Sequence, residues 1–421
     1  MPLLQTFRSL TSAQRRAFSA CFLGWTLDAF DFFLLTYVLS SVASTFHVSA
    51  KTATTSLFWT LAMRPVGALL FGWLAERIGR RPTMMLNILC FSVFELSSAF
   101  APTWPLFLLS RAFFGVAMGG EWGVASALAL ESLPVEGRGF FSGLLQEGYV
   151  TGNLLAAGAS ALFGLVVAHY HPLGFAGTWR MLFVIGALPA LLVVYVRSKV
   201  EESPAWKMSR GAGQLKGHQT PVGRQILQHL PMFLGLTALM FAFTSFSHGT
   251  QDLYPLFLHH DYGFSMQRVG LVSMVGSLGA LLGGVVCGTL SERFGRRRTI
   301  MMAALLAIPM IPLWAWSHTA VMLACGGFLM QFMVQGAWGV VPVHLNELAP
   351  GPVRAVFPGL AYQLGNLLSS WNSPLQSMAA ARFFGGRFAP VMACTVLICG
   401  LLVILATWLG SEAKGVDMSR V

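Results

Sequence analysis

Apolar runs of roughly twenty residues recur along almost the whole chain, each long enough to cross a hydrocarbon core of about 30 Å as an α-helix. Twelve such spans can be placed. They centre near Phe32, Met63, Phe91, Met118, Leu155 and Leu188, then near Phe243, Leu281, Leu306, Met333, Leu367 and Leu401. Composition agrees, because the 421 residues are 55% hydrophobic and 10% charged, against about 25% charged in soluble domains. The expected class is all-α: a polytopic membrane protein of twelve transmembrane helices. The first run, from about Ala17 to Val42, is too long for a signal peptide and carries Asp28 and Asp31. It therefore reads as helix 1, and nothing suggests a removed targeting segment.

The formal net charge of +11 invites a nucleic-acid reading, but the placement of the basic residues opposes it. Of the 27 Lys and Arg, Lys51, Arg180, Arg268, Arg382 and Arg387 fall on one side of the spans. Arg64 and Arg111 lie within spans, and the rest share the other side. That asymmetry is the positive-inside bias, which puts both termini and the central loop in the cytoplasm, most simply of a cell (inner) membrane. No nucleic-acid partner is expected. Cys21, Cys90, Cys287, Cys325, Cys394 and Cys399 all sit in apolar segments and show neither metal spacing nor a disulfide framework.

The two halves repeat. Gly72-Trp73-Leu74-Ala75-Glu76-Arg77-Ile78-Gly79-Arg80-Arg81 matches Gly288-Thr289-Leu290-Ser291-Glu292-Arg293-Phe294-Gly295-Arg296-Arg297 at an offset of 216 positions. The same offset relates Trp122-Gly123 to Trp338-Gly339, Glu131 to Glu347, Pro134 to Pro350 and Arg138 to Arg354. Parallel six-helix repeats give two pseudo-symmetric bundles with a site between them near the bilayer midplane. The expected division is an N-terminal bundle (1–197), a polar basic cytoplasmic linker (198–228) and a C-terminal bundle (229–421).

The two loops resemble the signature loop of the major facilitator superfamily. Arg111-x3-Gly115-x3-Gly119-Gly120-Glu121-Trp122-Gly123 is similar to the span-4 pattern of its proton-coupled metabolite symporters. The resemblance implies that the loop charges form a cytoplasmic latch: Glu76, Arg77, Arg80, Glu131 and Arg138, with Glu292, Arg293, Arg296, Glu347 and Arg354. Charges at helix ends can bond carbonyls across the bundle in one conformation and release them in another. The alternative for the Arg residues is topology and lipid-headgroup contact alone.

Ionisable residues at membrane depth usually face the bundle interior or an aqueous cavity. The stretch Ser247-His248-Gly249-Thr250-Gln251-Asp252-Leu253-Tyr254-Pro255 is the clearest case. Four apart on a helix, His248 and Asp252 share a face, with Gln251 beside them and Thr244 one turn earlier. An imidazole beside a carboxylate can bind an anion or carry a proton; otherwise the pair only pins two helices together. Asp28 and Asp31, three apart, rarely both ionise in a low-dielectric site, which makes them proton-carrier candidates. Arg64 can hold a substrate carboxylate bidentately, or pair with Asp28 or Asp31 when the site is empty. Arg111 and Glu121 are placed near the ends of span 4, in a structural or latch role or else a substrate role, and Glu95 at the periphery or bonded to a neighbour. Glu147 in span 5 maps by the repeat to Gln363 in span 11, so the two are expected to face each other across the cavity. Gln363 and Asn366 would offer uncharged donors.

The span-7 stretch further resembles that of the lactate and pyruvate permeases of the sialate/monocarboxylate–proton symporter group. Tyr362-Gln363-Leu364-Gly365-Asn366 is similar to their span-11 segment, and Arg64 falls where they carry a span-2 Arg. Thr244 stands where their motif has Asn, and Leu256 where it has Thr; both departures remove hydrogen-bonding capacity. The resemblance implies a part in substrate recognition and transport for Arg64, His248, Asp252, Gln363 and Asn366, and Thr244, Gln251 and Tyr362 are expected to line the substrate site beside them. Asp28, Asp31, Glu147 and Asp252 remain as proton carriers. The expected function is proton-coupled import of a small monocarboxylate such as lactate or pyruvate by a monomer in the lipid bilayer. The alternatives are symport of sialic acid or another organic acid, and a membrane receptor that binds acids without moving them. An enzyme is not expected, nor a cofactor or metal: the chain has no nucleotide loop, no metal-ligand spacing and no activated Ser or Cys constellation. Its Gly-rich patches lie inside apolar spans, where close helix packing explains them.

Overall fold

The computed structural model describes residues 10–48, 50–53, 55–170, 178–188, 190–211, 222–264, 266–412 and 414–416. Among these the chain is helical, with no strand. Twelve helical segments carry the architecture. In the first half they are α1 (Ser12–Thr45), α2 (Thr55–Ile78), α3 (Arg80–Phe100), α4 (Trp104–Ser132), α5 (Arg138–Gln146 and Gly148–Tyr170) and α6 (Arg180–Gly186 and Ala190–Lys199). The second half has α7 (Leu230–Gln251 and Tyr254–His260), α8 (Met266–Phe294), α9 (Arg296–Ala307, the turn Ile308–Met310 and Ile311–Ala315), α10 (Ala320–Leu348), α11 (Phe357–Ser369 and Asn372–Phe383) and α12 (Phe388–Leu409). Ten of the twelve are long and apolar enough to cross a membrane by length and composition; α5 and α11 complete the set. Short helices at Pro204–Gly211 and Val222–Gln228 lie between the halves, and residues 212–221 of the expected linker lie outside the described residues.

The breaks within spans were not foreseen. Pro255 and Pro309 explain two of them, because a proline has no N–H to give to the preceding turn. Where α7 is interrupted at Asp252 and Leu253, its polar face acquires a bend.

Packing repeats with the sequence. α2 lies on α4 as α8 lies on α10; α1 lies on α5 as α7 lies on α11; α3 lies on α4 as α9 lies on α10. Contact between the halves is concentrated at the end that bears the two repeated loops, where the first part of α5 meets α8 and α10 and the first part of α11 meets α2 and α4. The second part of α11 packs on α7 and α12 of its own half. The halves thus touch at one end and part toward the other.

At the closed end, backbone meets backbone. A Cβ on Gly288 would lie 2.4 Å from the Gly139 carbonyl oxygen, and one on the repeat-related Gly72 would lie 3.0 Å from that of Ala355. Acidic clamps reinforce this contact. Arg80 pairs with Glu76 at 2.7 Å and Glu131 at 3.2 Å, and Arg296 pairs with Glu292 and Glu347, each at 3.0 Å. Glu76 accepts the Ala355 N–H at 2.9 Å, at the approach to α11. Its counterpart Glu292 accepts the Gly139 N–H in the first turn of α5. Both carboxylates thus hold the opposite half by a helix start, where unpaired N–H groups favour negative charge. Arg138 donates to the Val416 carbonyl at 2.9 Å, and Arg354 is buried near Glu131 and Glu76. Arg77 and Arg293 are exposed and lie beside the Trp73 and Phe294 rings instead of reaching across the halves. Two further acids do what the loops alone did not reveal. Glu202 accepts the backbone N–H groups of Arg80 and Arg81, and Glu412 those of Arg296 and Arg297. Burial lifts the Glu202 carboxyl above its ordinary range, against the pull of those N–H groups and of Arg80.

Candidate functional site

Where the halves part, α7 presents its polar stretch. His248 Nδ1 lies 3.1 Å from Asp252 Oδ1, and the two side chains are 40% and 38% exposed. Ser373 on α11 donates to Asp252 Oδ2 at 2.8 Å, and Asn366 is within hydrogen-bonding reach of His248. Gln251 donates to Gln331 on α10 at 2.8 Å, and Gln335 donates to Ser247 at 2.9 Å. Asn372 and Gln376 on α11 bond the carbonyls of Ser245 and Gly249. The second half therefore offers a wall of amides and hydroxyls around one imidazole–carboxylate pair. Thr244 is not part of that wall. It is 1% exposed, and its hydroxyl contacts the Met240 and Gly365 carbonyl oxygens at 2.8 and 3.1 Å, joining α7 to α11.

Arg64 comes from the first half. Its main chain is pressed against α4, where a Cβ on Gly119 would lie 1.9 Å from the Arg64 carbonyl oxygen, so the residue has little freedom to slide. Among the described residues its Nε and Nη2 have no hydrogen-bond partner, and it makes no ion pair. The expected pairing with Asp28 or Asp31 is thus absent: the charge of Arg64 acts on Asp28, and across the gap on His248, without contact. The Tyr149 hydroxyl on α5 lies in the combined field of Arg64, Asp28, Asp252 and the Tyr362 hydroxyl, which brings both halves to one place. Below it, Trp122 and its repeat mate Trp338 both pack on Tyr362, with ring centroids 4.8 and 5.5 Å away. This aromatic floor separates the polar chamber from the closed end. Asn366 donates to Gln363 Oε1 at 3.2 Å, and Gln363 Nε2 is buried without a partner.

Behind Arg64 the first half holds a second polar cluster with no exposed atoms. Asp28, Asp31, Glu95, Arg111 and Glu121 are each 0% exposed. Arg111 pairs with Glu95 at 2.5 Å, so of the two expectations for Glu95 it is the bond to a neighbour that holds, in the interior. Asp31 packs beside that pair against Gly186 of α6. Both oxygens of Asp28, Asp31 and Glu121 lack hydrogen-bond partners. Glu121 sits near the middle of α4, not at its end. Glu147 falls at the break in α5, 4% exposed, with its carboxylate directed at Gly284 on α8. It lies between the halves, while Gln363 engages Asn366 on its own helix.

Residues 21–371 match the Major Facilitator Superfamily. The chain belongs to that superfamily. A carboxylic acid transporter protein homolog from Saccharomyces cerevisiae is 28% identical over 89% of this chain, which spans 63% of that relative's length. The sialic acid transporter NanX of Escherichia coli is 26% identical over 95% of each chain. Among solved structures, the proton:xylose symporter XylE superposes with a TM-score of 0.78 at 21% identity, covering 97% of this chain and 98% of that one. As a superfamily member the protein is a membrane transporter and not an enzyme, and a small-molecule substrate follows. Among the described residues, no His, Cys, Asp and Glu cluster could hold a metal ion, and the six cysteines are unpaired.

Ser373, Gln331, Gln335 and Tyr149 were missed in the sequence because single polar residues in apolar spans carry no spacing signal. The offset of 216 had already paired Trp122 with Trp338, but not their shared contact with Tyr362.

Proposed function

We propose that the protein is a proton-coupled importer of an organic monocarboxylate, with lactate or pyruvate the first candidates. The observation that supports this most is Arg64: a buried guanidinium with no ion-pair partner, facing the His248–Asp252 pair across the gap between the halves. An uncompensated cation in such a place favours an anion that completes it. Arg64 and His248 attract the carboxylate. Asn366, Gln363 and Gln251 orient it, and Tyr362 closes the floor. Asp28 and Asp31 carry the proton, with Glu147 and Asp252 as further stations. The halves, 1–197 and 229–421, rock about this site on the linker 198–228. With the basic loops in the cytoplasm of a cell membrane, the closed end is cytoplasmic, so the conformation is outward-facing. One monomer holds the complete site.

A second reading is symport of a larger, polyhydroxylated acid such as a sialic acid. It is favoured by the number of amides on the α7 wall and by the likeness to NanX. A competition panel of unlabelled acids against labelled lactate in liposomes separates the two. Uptake should rise with an inward proton gradient and collapse with an uncoupler; uptake indifferent to both would count against symport. A receptor that binds acids without moving them would show no counterflow.

A further inference from the structure

One buried acid of the first half has no role in the scheme above. Glu121 is fully buried near the middle of α4, and neither carboxylate oxygen has a hydrogen-bond partner. Buried polar groups in native proteins nearly always have one. Its Oε1 occupies the space that a side chain on Gly24 would fill, 2.3 Å from where that Cβ would lie. Gly24 and Asp28 are one turn apart on α1 and share a face. The Glu121 carboxylate therefore rests on α1 one turn from Asp28, on the side toward the closed end.

The charges facing Asp28 are Arg64 from α2, Glu95 from α3 and Arg111 from α4. Of the charged groups, Asp28 alone acts on Glu121, and the Cys21 thiol lies within its field. From α3, Met84 lines the same gap. Asn87 donates to the Ala117 carbonyl at 2.7 Å, one turn from Glu121 on α4, and leaves its own Oδ1 buried and unpartnered. The acids thus descend through the buried interior of the first half in the order Glu95 and Asp31, Asp28, Glu121.

Resting on the symport reading, we propose that Glu121 is the inner relay of the proton route, taking the proton from Asp28 and passing it toward the closed end. In that step the O–H bond of the Asp28 carboxylic acid breaks and an O–H bond forms on a Glu121 oxygen. Asp28 is left as a carboxylate facing Arg64; one proton moves and nothing is oxidised or reduced. Substrate and proton then travel by separate routes that meet only at Arg64. The gap opposite Gly24 is the device that brings the two acids together.

The test uses purified protein in liposomes, with labelled lactate and labelled sialic acid as probes. Counterflow at equal pH reads exchange without net proton movement, and accumulation under an inward proton gradient reads coupling. In Glu121→Gln, accumulation should fall roughly a hundredfold, with counterflow much less affected. Glu121→Asp should restore part of the accumulation, and Gly24→Ala, which crowds the carboxylate, should reproduce a milder loss. Infrared difference spectra on a pH jump need no substrate: wild type should show a protonated-carboxyl band that Glu121→Gln removes. Unchanged accumulation in Glu121→Gln, or an unchanged infrared band, would overturn the relay. Equal loss of counterflow and accumulation in both the Gln and Asp variants would assign Glu121 to packing and overturn it too. A wild type that exchanges substrate but never couples to protons would remove the symport reading and the relay together, a pattern distinct from the others.

Discussion

At the scale of single residues, two polar side chains that look alike in the sequence have different surroundings. Arg64 has donors without partners, whereas Thr244 spends its hydroxyl on helix carbonyls. Replacing Arg64 by Gln should remove a charge-assisted hydrogen bond to substrate, about 1.5–3 kcal/mol. That corresponds to a KM in counterflow raised roughly 10- to 150-fold. Thr244→Val should leave KM unchanged and instead lower thermal stability by about 1 kcal/mol, read as a Tm shift in detergent. Both residues were expected among the substrate ligands, Arg64 from its chemistry and the family resemblance and Thr244 from its place one turn before His248. Periodicity could not separate them, because a polar residue in an apolar run has the same pattern whether it faces a chamber or ties two helices together. Likewise span position alone put Glu121 near a helix end and left Glu95 either peripheral or bonded to a neighbour, although both are fully buried: their neighbours come from other helices, and no local spacing encodes that.

Among the elements, the clamps are two copies of one design. Glu76 and Glu292 each hold an arginine of their own half and a backbone N–H of the other. Loss of either negative charge at a helix start should cost about 1 kcal/mol of closure. Glu76→Gln and Glu292→Gln should therefore each shift the balance toward opening of the clamped end about fivefold. Distances between spin labels on the two halves at that end would show it, and additive shifts in the double variant are expected. The linker helix has its own acid. Because burial raises the Glu202 carboxyl, its contribution is fully present in acid and is lost as pH climbs through the raised value. The Tm of Glu202→Gln should accordingly gain on that of wild type as pH rises from the ordinary carboxylate range toward neutrality. The helices themselves were legible from hydropathy, since lipid leaves the backbone no alternative. The breaks in α5, α7 and α11 were not, because run length reports what can cross a bilayer and is blind to a bend inside it.

For the molecule as a whole, the repeat was the strongest sequence signal, and the structure gives it a physical meaning. Gly72 meets Ala355 as its repeat mate Gly288 meets Gly139, whereas Trp122 and Trp338 converge on the one Tyr362. Gly288→Leu should wedge the closed end apart. Overpacking of this kind costs about 1–3 kcal/mol. Counterflow should fall roughly 5- to 150-fold as closure becomes rare, while spin-label distances at that end lengthen. A latch at the repeated loops was implied by the family resemblance, and two related halves could be read from the offset. Which acids share the interior of one half could not, since Asp28, Glu95 and Glu121 come from three helices and meet only after those helices pack.

The closed end is sealed largely by main chain against main chain, at Gly139 with Gly288 and at Gly123 with Gly359. At those contacts no side-chain rotation could admit a lone ion or a file of water. A solute in the gap between the halves must wait for the two plates to separate along a broad front. Leakage in the absence of cargo is thereby limited by the stiffness of two helices and not by the alertness of one residue.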